Sequence, residues 1–156
     1  MTPLSITRAL MMLAAAVLVA AGCSKSNDHA AHAGGHTHKA PHGGLLVELG
    51  EHAYNAELVR DGDAGKLTVY FLDGHAENFV RLALPSITVV AYAGGERRTL
   101  TLPAVANSVT GETVGNTSQY EAQADWLKKF AEFNGEIGAV EIRGSKFGPA
   151  AFALKK

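Results

Sequence analysis

From Gly43 onward the sequence predicts an all-β fold: an antiparallel β-sandwich or small barrel, immunoglobulin-like, with one short helix. Three observations predict it. Short stretches alternate apolar with polar residues, clusters of Gly, Pro and Asn separate them, and a single stretch has helical spacing. The domain, residues 43–156, is long enough to bury one core and too short for two.

The elements follow in order. Leu45–Leu49 is a short apolar strand. Residues 53–60 alternate, with Tyr54, Ala56 and Leu58 on one face and Asn55 and Glu57 on the other; residues 66–72 alternate again through Leu67, Val69 and Phe71. Between them Asp61-Gly62-Asp63-Ala64-Gly65 has the composition of a hairpin turn. If Arg60 pairs near Lys66, His52 comes to face the neighbourhood of Gly74. Further strands are expected at 86–92, 97–102, 118–123, 138–143 and Ala150–Leu154. The helix is expected at 125–133, where Trp126, Leu127, Phe130 and Phe133 share one side, a spacing that reads as a core plug rather than a ligand site.

What precedes the domain has a different texture. Residues 1–22 read as an export signal: Arg8 supplies the positive start, residues 9–21 are an unbroken apolar run too short to span a bilayer comfortably, and Ala20-Ala21-Gly22 is a small-residue cleavage site. With Cys23, the chain's single cysteine, the segment resembles a bacterial lipoprotein signal, in which the peptide is cut before the cysteine and that residue is lipidated. The resemblance implies a membrane anchor at Cys23. Ser24 stands where an Asp would retain the protein at the inner membrane, so the periplasmic face of the outer membrane is the implied location. Ordinary secretion with a free thiol near the new terminus is the alternative.

Removing residues 1–22 takes away Arg8 and all three methionines, so the formal charge moves from −1 to −2. The remaining Lys and Arg are scattered, which gives no basic patch for nucleic acid. One cysteine cannot form an intrachain disulfide, so the domain depends on its core.

Residues 23–42 read as a lipidated, flexible, His-rich tether, because no aliphatic side chain larger than alanine occurs from Ser24 to Pro41. Five histidines, His29, His32, His36, His38 and His42, fall within fourteen residues. The spacing H-x2-H-x3-H-x-H-x3-H imposes no geometry, yet it allows several imidazoles to converge on one ion. Without methionine, and with the thiol consumed by lipid, soft Cu(I) lacks ligands. Zn²⁺ is the first candidate, with Cu²⁺, Ni²⁺ or Co²⁺ next. Capture should weaken below about pH 6.5 as protons compete for imidazole. A plain spacer is the alternative.

The hairpin register offers a second expectation. His52 and His75 come to one end of the hairpin, with Glu51, Asp73 and Glu77 near in sequence, while His42 falls at the other end toward Asp61 and Asp63.

Pro41-His42-Gly43-Gly44, followed by Leu46, Glu48, Gly50, His52, Tyr54, Glu57 and Leu58, resembles a P-H-G-G-x-L-x-E-x-G-x-H-x-Y-x-x-E-L pattern. It is similar to that of small exported bacterial proteins with His-rich N-termini, and related HGG segments occur in periplasmic parts of heavy-metal efflux systems. The resemblance implies metal handling, with a metal-efflux or other envelope protein as partner, and implies His42, His52 and Glu57 as ligands. Glu57, opposite the apolar face of its strand, reads equally well as a solvated sheet residue. The chain is too short to be an efflux adaptor itself and could be only an accessory binder.

No catalysis is expected. There is no G-x-S-x-G, no phosphate-cradling G-x-x-x-x-G-K-[ST] and no H-E-x-x-H. The sequence therefore points to a lipid-anchored envelope protein that binds, buffers or delivers divalent transition metal. The alternative is a metal-independent envelope interaction or scaffold module.

Overall fold

A computed structural model describes residues 38–155. The expected signal segment, Cys23, His29, His32 and His36 lie outside the described residues.

Among the described residues, ten strands and one short helix follow in the order β1 (Leu45–Leu49), β2 (Tyr54–Asp61), β3 (Lys66–Asp73), β4 (Ser86–Ala93), β5 (Glu96–Pro103), β6 (Gln119–Gln123), α1 (Asp125–Lys129), β7 (Phe133–Ile137), β8 (Val140–Ile142), β9 (Ser145–Phe147) and β10 (Ala150–Leu154). Two four-stranded antiparallel sheets, β1-β2-β3-β6 and β10-β7-β4-β5, hold one core between them, and β8 and β9 form a separate hairpin. The fold is thus the expected all-β architecture. It is an open sandwich rather than a barrel: Ala104 bridges Tyr120 near β5 and β6, whereas no ladder joins the edge strands β1 and β10.

Period-2 side chains build the core. Ala56, Leu58, Leu67, Val69 and Phe71 from the first sheet meet Val89, Ala91, Leu102 and Ile137 from the second, all essentially without solvent exposure. This requirement also sets the β2–β3 register. The ladder pairs Arg60 with Leu67, one position from the expected Arg60–Lys66 pairing, because only this offset places Leu58 opposite Val69 and Ala56 opposite Phe71. Slipping by one would set Leu58 against Thr68.

Two elements differ from expectation. The helix stops at Lys129, since Phe130 already has extended backbone angles (φ −111°, ψ 108°), and Phe133 opens β7 instead of closing the helix. Leu127 is still a core plug. Trp126 and Phe130 pack on the core's margin beneath the Arg98 guanidinium, 5.7 Å from each ring. β7 itself was not anticipated, although Phe133-Asn134-Gly135-Glu136-Ile137 alternates buried with exposed. Gly135 weakens the signal in sequence, yet the sheet needs it: a Cβ there would strike the Val90 carbonyl and the Phe152 ring. The expected strand at 138–143 is realised only as Val140–Ile142, which pairs with the unanticipated β9.

Candidate functional site

Residues 38–44 cross the outer face of the first sheet as a strap. Gly43 donates its N–H to the Ala40 carbonyl at 3.1 Å and adopts φ +72°, which reverses the chain. Gly44 then passes so close to β2 that a Cβ would overlap the Leu58 carbonyl oxygen. This approach is what the Gly43-Gly44 pair provides. It sets the N–H groups of His42 and Gly44 on Glu57 Oε1, at 2.8 and 2.9 Å, and His42 Nδ1 at 2.8 Å from Oε2.

Glu57 is therefore not the solvated residue that its outward position suggested. It is 0% exposed, with the strap as its cover and three donors on its carboxyl group. Its row runs across the sheet through Leu46, Glu57, Tyr70 and Gln119. His42 lies on this row rather than toward Asp61 and Asp63, because the chain turns across the sheet at Gly43 instead of continuing along β1. A carboxylate only accepts, so His42 Nδ1 carries the proton, and in the neutral ring Nε2 keeps its lone pair. A carboxylate that accepts the ring N–H in this way is the usual outer support of a metal-ligating histidine. The ring stacks on Tyr70 at 3.9 Å and 14°, with Phe79 at 5.7 Å. Burial, then Glu121 and Glu57, push the Tyr70 hydroxyl above its ordinary pKa.

The rest of the motif locks a turn. Gly50, Glu51 and His52 have φ of +65°, +49° and +69°, a left-handed run costly for the two non-glycine residues. Glu48 supports it, accepting the His52 N–H at 2.6 Å and lying 3.1 Å from His52 Nδ1.

His75 sits in the turn that leaves β3. Asp73 organises that turn, accepting from Glu77 N at 2.9 Å and Asn78 Nδ2 at 2.7 Å. The Asn78 bond, joined by backbone N–H groups, holds the Asp73 carboxyl below its ordinary pKa. The expected juxtaposition of His52 with this turn is present in the backbone: the His52 carbonyl packs against Gly74 so closely that no Cβ fits there. The side chains take different partners. His52 meets Glu48, whereas the exposed ring of His75 meets His38, with centroids 5.5 Å apart and planes at 74°. Among the described residues no group of three or more His, Cys, Asp or Glu could hold a metal ion. Of the nominated residues, the structure brings together His42 with Glu57, and His38 with His75.

Beside His42 opens a cleft of about 520 Å³, lined by Tyr70, Phe79, Arg81, Glu112 and Ser118 among others. Phe79 is half exposed at its mouth. Arg81 donates to the Thr110 and Gly111 carbonyls and pairs with Glu112 at 3.8 Å. Burial pushes Glu112 up, but bonds from the Ser118 hydroxyl and N–H, from Thr110, and the charge of Arg81 outweigh it and leave the carboxyl below its ordinary pKa. Sequence reading did not find this cleft. Arg81, Thr110 and Glu112 lie in connections without periodicity, and only the fold gathers them. Comparison with known protein families, curated proteins and solved structures finds no match for this chain.

Proposed function

We propose that this chain is an envelope protein, anchored by lipid at Cys23, that binds and buffers or delivers divalent transition metal ions, Zn²⁺ first and Cu²⁺, Ni²⁺ or Co²⁺ next. One observation carries the reading. A tract of five histidines ends on the folded domain, with its last member, His42, oriented through Nδ1 by a buried carboxylate. Imidazole with little soft sulfur suits these ions. A metal-efflux or other envelope protein is the partner this reading calls for, and no catalytic step is assigned to it.

The half-exposed Phe79 beside the cleft favours a second reading, in which the sandwich is a metal-independent interaction module. Calorimetric titration of the full chain in detergent with Zn²⁺ at pH 7.5 separates the two. The metal reading expects binding that falls sharply when His29, His32, His36, His38 and His42 all become alanine. Absence of any Zn²⁺ heat from the unaltered chain discards it in favour of the interaction module.

A further inference from the structure

We infer that His38 and His75 are two ligands of one divalent metal ion, which clamps the strap onto the turn after β3. The inference rests on the metal-binding reading above and assigns that reading a place on the folded domain.

The geometry fits. Two imidazoles on a tetrahedral ion, each bonded at about 2.0–2.1 Å, hold their ring centres about 5 Å apart, because each centre lies about 3 Å from the metal along its bond. His38 and His75 have centroids 5.5 Å apart, with planes at 74°. They cross in a T shape, unlike His42 and Tyr70, which stack at 3.9 Å and 14°. Stacked rings have nearly parallel planes that share no line near them, whereas planes crossing at 74° intersect, so one ion can lie in the plane of both rings.

Both residues adjoin segments that are tied down independently. His75 rides on a turn tied by Asp73, whose two carboxylate oxygens are occupied by Glu77 N and Asn78 Nδ2. Asp73 thereby positions the loop instead of competing for the ion. His38 precedes the Ala40–Gly43 turn, and beyond that turn the chain is fastened to Glu57 by His42 and Gly44. A pair pre-positioned by its scaffold loses less freedom on binding than ligands gathered from a free chain. Two protein ligands leave the remaining coordination positions to water or to further donors.

This arrangement makes a prediction that the histidine tract alone does not. Ligands within one contiguous tract can gather an ion whether the domain is folded or not, but His38 and His75 meet only in the fold. An ion on that pair binds the native state alone and must raise its thermal stability.

The test is thermal unfolding of the full chain in detergent, with and without Zn²⁺ at pH 7.5, and calorimetry alongside. Zn²⁺ is expected to raise the unfolding midpoint. His38→Ala and His75→Ala should each remove most of that rise and weaken one site by at least about tenfold, the smaller loss seen on removing even an outer support. The double variant should lose little more than either single, because the two share one ion. His52→Ala should keep the full rise. Both residues are surface-exposed or half-exposed, so the metal-free midpoints should match, which shows the variants fold. If Zn²⁺ still binds but the rise survives His75→Ala, the clamp is wrong and the metal reading stands. If Zn²⁺ does not bind the unaltered chain, both fall.

Discussion

The outer faces of the two sheets contrast. On β4 the pattern is a simple alternation, with Ile87, Val89, Ala91 and Ala93 buried and Thr88 and Tyr92 exposed. On β2 four consecutive residues, Asn55, Ala56, Glu57 and Leu58, are all buried. The difference lies above the sheets. The second sheet shows its outward side chains to solvent, whereas the strap and the turn after β3 lie over the first. The covered outward residues of β2 are polar, and each is satisfied locally: Asn55 donates to the Asp73 and Gly74 carbonyls at 3.0 Å, and Glu57 accepts from the strap. A covered polar face is tolerable only when its groups are paired. The covered stretch of β2 is therefore a polar seam, and the second sheet's outer face is an ordinary surface.

Breaking the seam should have the largest effect. Glu57→Ala strands the His42 and Gly44 N–H groups and frees the strap, at an expected cost of about 2–4 kcal/mol in urea unfolding. Thr101→Ala on the exposed face of β5 should stay within about 0.5 kcal/mol. Equal losses would mean that the two faces do not differ in kind.

Gly44→Ala attacks the same seam sterically, by setting a Cβ against the Leu58 carbonyl. It should cost about 1–3 kcal/mol. Lifting the strap should also abolish the ring-current shifts that Tyr70 and His42 impose on one another in NMR spectra.

Glu112 sharpens the comparison through pH. Its folded-state pKa lies below its ordinary value of 4.5, so its stabilisation is fully present above that value and disappears as pH falls through the lower folded one. Glu112→Gln should cost about 1–2 kcal/mol at pH 7. That gap to wild type should close on acidification below about 4.5. A gap that stays constant to pH 3 would remove the carboxylate's charge from the account.

The smallest expected effect is at Glu48, an exposed support of the left-handed turn. Glu48→Ala should lower stability by about 0.5 kcal/mol. Its clearer sign is faster amide exchange at His52, read by hydrogen–deuterium exchange.

Much of the fold was legible because the apolar period is local information. Leu45–Leu49 and Ala150–Leu154 match residue for residue, and β2 to β6 differ by one position at an end or two. β7 was lost to a competing helical stripe through Phe133 and to Gly135, whose role appears only beside Val90 and Phe152. The site was legible in part. The motif contains His42, Glu48, His52 and Glu57, and the fold employs Glu48 and Glu57 to hold a turn and a strap. His38 and His75 were both marked, but nothing in their sequence positions pairs them.

The sequence by itself determined the antiparallel all-β class, the extent of most strands and the histidine chemistry on offer, because alternation, turn residues and side-chain type act over a few neighbours. Tertiary structure decided which outward residues are buried, which carboxylate orients His42 and which imidazole faces His75. Those outcomes depend on where the strap crosses the sheet, and that path follows from Gly43 and Gly44 meeting β2, a contact between segments that no local period encodes.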